Sequence, residues 1–427
     1  MTGNGLSQVF VLLISPILTR LFTPAEIGIY AFLLGIVNIF TVISSGRYEQ
    51  AIVVAKNDEE AINVFALGTL LVSLMSVLSL LILWILLQVE VSFFEGYINE
   101  LWIFSIPIIN FLLSFYLLLR YYSIRNKRFR YLSASMPVES ISKGLISIAL
   151  GWYVGGAWGL ILAGIVGSLL SILTIYRGVA SKLKENSHHI NLSEIKRLAK
   201  VHYKFPAFDA PNALIYSFSQ QGILIFIPKL FSEQIAGIYS YTNRILLTPI
   251  RFFAGSYAQV MYQKLSEVRE NSEYYFALIA KSTNRIFYLF LVPFSIFVIT
   301  SKYYIPFVFG EDWVDLYKLM YLLAPYSFIV LISPAFTNVF IIDNKQDIGL
   351  ILKIVFVILR IGILFVGAIF DWEILFVFGL FSIASTATMV LNYFVYYRIS
   401  KRNLPHSIYS FILVSSIAYV YLYTYLI

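Results

Sequence analysis

Apolar residues in this chain gather into thirteen stretches, most close to twenty residues long, and that pattern leaves few folds open. They run roughly over 4–21, 27–45, 61–88, 101–119, 132–150, 156–176, 206–228, 235–261, 284–301, 317–341, 349–369, 374–396 and 406–426. A helix needs ~20 mostly apolar residues to cross the hydrocarbon core. Inside lipid every backbone N–H and C=O must be satisfied within the segment, which a helix does and an open strand does not. Only 13% of the residues are charged, against about 25% in an ordinary soluble domain. The spacing therefore predicts a multi-pass helical membrane protein.

The connections carry a second pattern. Segments 46–60, 120–131, 177–205, 262–283, 342–348 and 397–405 hold 21 of the 31 Lys and Arg residues. The alternate set, 22–26, 89–100, 151–155, 229–234, 302–316 and 370–373, holds only Lys229 and Lys302 but ten Asp and Glu. Basic loops stay in the cytoplasm, so the N-terminus is expected inside and the net charge of +8 reads as orientation rather than nucleic-acid binding. No Lys or Arg precedes the first apolar run, so no cleaved signal peptide is expected.

The halves are related. Shifted by 209 residues, Arg20-Leu21-Phe22-Thr23 meets Lys229-Leu230-Phe231-Ser232, Gly28-Ile29-Tyr30 meets Gly237-Ile238-Tyr239, and Gly46, Tyr48 and Gln50 meet Gly255, Tyr257 and Gln259. Nine of the 31 pairs from 20 to 50 are identical, where chance gives roughly two or three in so biased a composition. Six helices separate the repeats, so both insert with the same polarity, an arrangement found in transporters whose substrate binds between two halves. The expected fold is an all-α polytopic membrane protein of about 12–13 transmembrane helices. It comprises an N-lobe (1–176), an inter-lobe linker at the lipid headgroups (177–205), a C-lobe (206–397), and a turn with an extra C-terminal helix (398–427), with the two six-helix lobes pseudo-symmetric. Features shared by both halves, the Gly-Ile-Tyr turn and the Gly-x-Tyr-x-Gln helix end, are expected to serve packing and chain reversal.

Charges in the spans are the functional candidates, because each costs about 2.5–3.5 kcal/mol to insert and so faces a cavity or a partner. Arg20, Arg285 and Lys318 lie near helix ends, where they can snorkel. Glu139 and Lys143 are spaced as an ion pair on one helix. Arg244 and Arg251 project from one face of a single helix, and Lys353 and Arg360 repeat that spacing. The acids within the spans, Glu139 and Asp209, are too few to neutralise these cations, so the excess is expected to meet an anion. Arg47 and Glu49 stand where the second half has Ser256 and Ala258. Asp209, in Phe205-Pro206-Ala207-Phe208-Asp209-Ala210-Pro211, is expected either to mark a Pro-broken hinge with an ion or proton site or to serve helix entry or capping.

Other chemistries find no support. There is no cysteine, which excludes disulfides and thiolate catalysis. No Gly-rich nucleotide loop appears, and His188, His189, His202 and His406 have no metal-ligand spacing. No cofactor, metal or enzymatic activity is expected.

The run Pro16-Ile17-Leu18-Thr19-Arg20-Leu21-Phe22-Thr23-Pro24-Ala25-Glu26-Ile27-Gly28-Ile29-Tyr30 resembles the opening of bacterial oligosaccharide flippases, the O-antigen and polysaccharide exporters of the multidrug/oligosaccharidyl-lipid/polysaccharide (MOP) superfamily. Tyr48-Glu49-Gln50-Ala51-Ile52, Gly156-Ala157-Trp158-Gly159-Leu160-Ile161, Gly237-Ile238-Tyr239 with Arg244, and the Asn344-Lys345 turn are similar to the family pattern. The resemblance implies a bacterial inner-membrane protein that flips an undecaprenyl-pyrophosphate-linked oligosaccharide by alternating access. Its partners would be that lipid, bulk membrane lipids, and a polysaccharide polymerase and chain-length regulator. Arg244, Arg251 and Arg360, with Lys353, would hold the pyrophosphate. Arg20, Arg47 and Lys143 would guide it, and Asp209, Glu139 or Glu49 would couple an ion or gate. Two other readings stay open: a cation-coupled multidrug exporter of the same superfamily, disfavoured by the cationic spans, and a membrane scaffold subunit without transport.

Overall fold

The computed structural model describes residues 2–89 and 101–425. The acidic connection expected at 89–100 lies, from residue 90 on, outside the described residues. The chain divides into two compact units, Met1–Gly237 and Ile238–Ile427, and among the described residues every regular element is helical.

The first unit contains α1 (Thr2–Leu21), α2 (Pro24–Ser44), α3 (Tyr48–Val54), α4 (Asp58–Val89), α5 (Ser105–Arg125), α6 (Phe129–Tyr153), α7 (Gly156–Asn186), α8 (Leu192–Val201) and α9 (Ala210–Leu230). Sequence signals place the starts. The Thr23 hydroxyl accepts a hydrogen bond from the Glu26 amide while the Glu26 carboxylate accepts one from the Thr23 amide, with Pro24 in the first turn of α2. Such a capping box satisfies two amide donors that a helix start otherwise leaves open. Around α3, Tyr48, Ile52, Leu118, Tyr122, Val179 and Leu198 form one apolar core; Phe32, Val37, Trp102, Ile106 and Ile161 form another. Segment 177–205 is largely helical: α7 continues to Asn186, and α8 packs on α4 with Leu198 fully buried.

α10 (Glu233–Glu267) crosses the boundary between the units. The second unit continues with α11 (Ser272–Ile299), α12 (Ser301–Phe309), α13 (Leu316–Ile332), α14 (Val339–Ile342), α15 (Gln346–Ile369), α16 (Ile374–Ile399) and α17 (His406–Tyr425). Its core joins Tyr275, Phe287, Phe336, Tyr393 and Tyr396 to Ile408 and Phe411 of the C-terminal helix. The Tyr419 hydroxyl of α17 also meets Ser382 and Thr386 of α16 at 2.9 and 2.7 Å. The odd final helix is therefore built into the second unit.

The apolar stretches fall on helices except that 317–341 breaks after α13 at Ser333 and resumes only as the short α14. Nine of the described helices are long and apolar enough to cross a membrane: α2, α4, α5, α7, α11, α13, α15, α16 and α17. Of the rest, α1 is a shorter apolar helix, while α6, α9 and α10 carry Glu139 and Lys143, Gln220 and Gln221, and Asn243, Arg244 and Arg251 respectively.

The repeat shows in the packing. α4 on α5, α5 on α7 and α6 on α7 recur as α11 on α13, α13 on α16 and α15 on α16. Its sharpest mark is a crossing of two glycines in the first unit. A Cβ on Gly28 would collide with the Glu233 carbonyl oxygen and lie 3.0 Å from the Gly237 amide; a Cβ on Gly237 would collide with the Pro24 carbonyl and lie 3.1 Å from the Gly28 amide. Positions 24 and 28 map onto 233 and 237 by the repeat shift, so the contact is nearly self-symmetric. Only glycine lets the first turns of α2 and α10 approach so closely.

The Gly-x-Tyr-x-Gln motif behaves differently in the two halves, which corrects its reading as a shared helix end. In the first half Gly46 (φ +59°) and Arg47 (φ +63°) are left-handed and the helix breaks. In the second half α10 runs unbroken through Gly255, Tyr257 and Gln259. Arg47 and Glu49 are replaced there by Ser256 and Ala258, which offer no charges to hold such a break.

Candidate functional site

The broken turn after α2 gathers three of the expected charges. Arg47 Nε lies 2.7 Å from Asp209 Oδ2, and its Nη1 lies 3.3 Å from Glu49 Oε1. Gln50 Nε2 donates to the same Asp209 oxygen at 2.8 Å. The Glu49 side chain is only 2% exposed and accepts a hydrogen bond from the Ser45 hydroxyl. Burial pushes the Glu49 carboxyl up, against the opposing pull of Ser45 and Arg47, and Asp209 adds to the rise. Asp209 ends a π-helix, Phe205–Asp209, that leads into α9, and its side chain makes no cap hydrogen bond there. The capping alternative for Asp209 thus gives way to an ion pair with Arg47.

In the same unit Lys143 of α6 places its ammonium 4.8 Å from the centre of the Tyr30 ring. Glu139, one turn before it, acts on it electrostatically, but among the described residues the two do not close to ion-pair distance. Arg20 is exposed at the end of α1.

The second unit holds the remaining cations. Arg360 of α15 is 4% exposed. Its guanidinium lies 4.4, 4.7 and 5.4 Å from the ring centres of Phe381, Phe356 and Tyr326, and an Nη donates to the Tyr239 hydroxyl at 3.4 Å. Cation–π contacts contribute about 2 kcal/mol when desolvated, so the rings replace much of the lost hydration. Its Nε is buried without a partner, and among the described residues no carboxylate pairs with Arg360. Tyr239 also feels the charge of Arg251. Arg251 is exposed, whereas Arg244 is half-buried with its guanidinium 5.3 Å from the centre of the Tyr241 ring. Lys353 is exposed while Arg360 is buried, so their seven-residue spacing does not give them a common environment.

Of the cations expected in this unit, Arg360 bonds Tyr239 and Arg251 acts on it electrostatically. These contacts also add residues that charge alone did not single out. Tyr30 and Tyr239 were the signal: they are repeat equivalents, and each receives a cation from the helix that follows a matching turn. Lys127 (φ +54°) precedes α6 and Asn344 (φ +55°) precedes α15. Reading the repeated tyrosines as packing alone hid this role. The aromatic cage of Phe356, Phe381 and Tyr326 had no signal in a chain with 17% aromatic residues.

Comparison with known proteins fits this architecture. Residues 17–318 match the model of a family described as polysaccharide biosynthesis protein. No curated protein matches the chain. Among solved structures, a multidrug resistance MATE family transporter of the MOP superfamily in an inward-facing conformation is similar at TM-score 0.68 and 15% identity, covering 96% of each chain. The lipid II flippase MurJ, in an inward closed conformation, is similar at TM-score 0.67 and 13% identity, covering 98% of this chain and 96% of its own. A MOP superfamily transporter from Pyrococcus furiosus follows at TM-score 0.54 and 14% identity, covering 93% and 91%. At such identities the structures speak for the fold, and the family match, spanning well over half of the 427 residues, speaks for kinship: the chain belongs to the polysaccharide biosynthesis protein family and has the helical membrane fold of the MOP superfamily.

Proposed function

We propose that this protein flips an undecaprenyl-pyrophosphate-linked oligosaccharide from the cytoplasmic to the outer leaflet of a bacterial inner membrane, with its N-terminus inside, for surface polysaccharide or O-antigen assembly. The observation that carries this reading is Arg360: a guanidinium buried in the second unit, with an unpartnered Nε and no carboxylate partner among the described residues. Arg251 acts on the same tyrosine, and Arg244 lies two turns before it on α10. A planar donor fork suits phosphate oxygens, and the diphosphate is the charged part of such a lipid. A cationic drug would be repelled from the same place, and a scaffold has no need of an unneutralised buried cation.

The test is flipping in proteoliposomes loaded with undecaprenyl-pyrophosphate-linked glycan, following the glycan that becomes accessible outside. Arg360→Gln is expected to slow flipping roughly ten- to hundredfold, matching the ~1.5–3 kcal/mol of a charged hydrogen bond. Arg244→Gln and Arg251→Gln are expected to add to the loss. Full activity in the folded triple variant would remove the site assignment, and wild-type protein that moves cationic dyes but no lipid-linked glycan would overturn the substrate class.

A further inference from the structure

We infer that Arg47, Glu49 and Asp209 form a proton-binding site, and that taking up one proton locks the π-helix at the head of α9 to the turn after α2. The inference rests on the first unit alone and does not depend on the cargo.

One guanidinium serves two carboxylates here. With all three groups ionised the cluster carries a net charge of −1, and Asp209 and Glu49 repel one another across Arg47. Among the described residues, the other basic side chains on elements packed against α3 are Arg120 and Arg125 of α5 and Lys204 before the π-helix, and none of them is a charge that acts on Glu49. From α5, Arg125 donates to the Ala55 carbonyl at 2.6 Å and pairs with Asp58 of α4 at 3.3 Å. Arg47 and Asp209 are the charged groups that act on Glu49.

Glu49 is the member built to take the proton. Its side chain is almost fully buried, whereas that of Asp209 is 38% exposed and stays hydrated. Ser45 donates to the Glu49 carboxylate and so favours its charged form, but burial outweighs that pull. When a proton moves from water onto the Glu49 carboxylate, no other bond changes. Arg47 and Asp209 are then left as a neutral pair at 2.7 Å. When the proton leaves, both carboxylates compete for Arg47 and the hold on Asp209 weakens.

The backbone shows what the lock restrains. Gly46 and Arg47 sit in the left-handed region, which is unfavourable for a residue with a side chain. Where the second repeat lacks both charges, the same motif is straight helix. The cluster thus holds the turn away from the form its repeat adopts, and it holds a π-helix, an uncommon element often found at functional sites. The direction of the pH dependence follows. Burial raises the Glu49 carboxyl in the locked state, so the lock is favoured below that raised value and lost as pH rises through it.

The test is amide hydrogen exchange of residues 205–210 in the full chain in lipid nanodiscs, without substrate, between about pH 5.5 and 8.5 and corrected for intrinsic exchange. Wild-type protection is expected to fall by up to about tenfold per pH unit as pH rises toward the raised Glu49 value, the limit for one proton, and to level off above it. Glu49→Gln, neutral at every pH, should stay protected throughout, and Asp209→Asn should be unprotected throughout. Ser45→Ala leaves every charge in place and should move the midpoint to higher pH, because Ser45 opposes the rise. A wild-type profile flat with pH, or Glu49→Gln tracking the wild type, overturns the proposal; so does Ser45→Ala leaving the midpoint in place or moving it down, which keeps the test decisive if Glu49→Gln fails to fold.

Discussion

Tyr30 and Tyr239 occupy the same place in the two repeats, yet they hold their cations in different company. Lys143 lies over the face of Tyr30, with Glu139 four residues earlier on the same helix. Arg360 reaches the Tyr239 hydroxyl, and four residues earlier stands Phe356, whose ring lies against the guanidinium. The first arrangement is close to neutral and keeps a compact ammonium. The second excludes water, lacks a counter-charge and presents a planar fork. An acid stands four residues before the cation in the first repeat and an aromatic ring in the second, which is why we assign the anion to the second.

The largest expected effect comes from breaking what the repeats share. Gly28→Val or Gly237→Val drives a side chain into a backbone carbonyl, and the penalty should exceed the ~1–3 kcal/mol typical of overpacking. Low yield of folded protein and a lowered midpoint in thermal unfolding would register it; a normal midpoint for both variants would show that the crossing is not fixed by glycine. Next comes copying the first repeat into the second. Phe356→Glu sets a carboxylate beside Arg360 and should weaken binding of a diphosphate lipid by about tenfold or more. Unchanged binding would mean that Arg360 does not face the anion. The smallest effect separates ring from hydroxyl. Tyr239→Phe should cost roughly 1 kcal/mol of binding or stability, one hydrogen bond, while Tyr30→Phe should stay within about 0.5 kcal/mol because Lys143 uses the ring face. Equal losses would erase the distinction.

How much of this the sequence carried depends on the range of the interaction. The thirteen stretches and the six-helix repeat were legible because hydrophobic length and internal similarity are written along the chain. The pairing of Arg47 with Asp209 was not, because 162 residues separate them and no local pattern links them. The contrast at Gly46 and Gly255 was also hidden: an identical motif breaks or continues a helix according to two neighbouring charges and a distant acid. Charge counting found Arg360, but only packing shows that aromatic rings rather than carboxylates surround it.

The paired glycines have a consequence for substitution. A contact in which position 24 meets 237 and position 28 meets 233 is the kind that two identical chains make about a dyad, each giving and receiving the same groups. Because each glycine meets the other's helix start in the same way, neither position can be substituted without striking the other element's backbone.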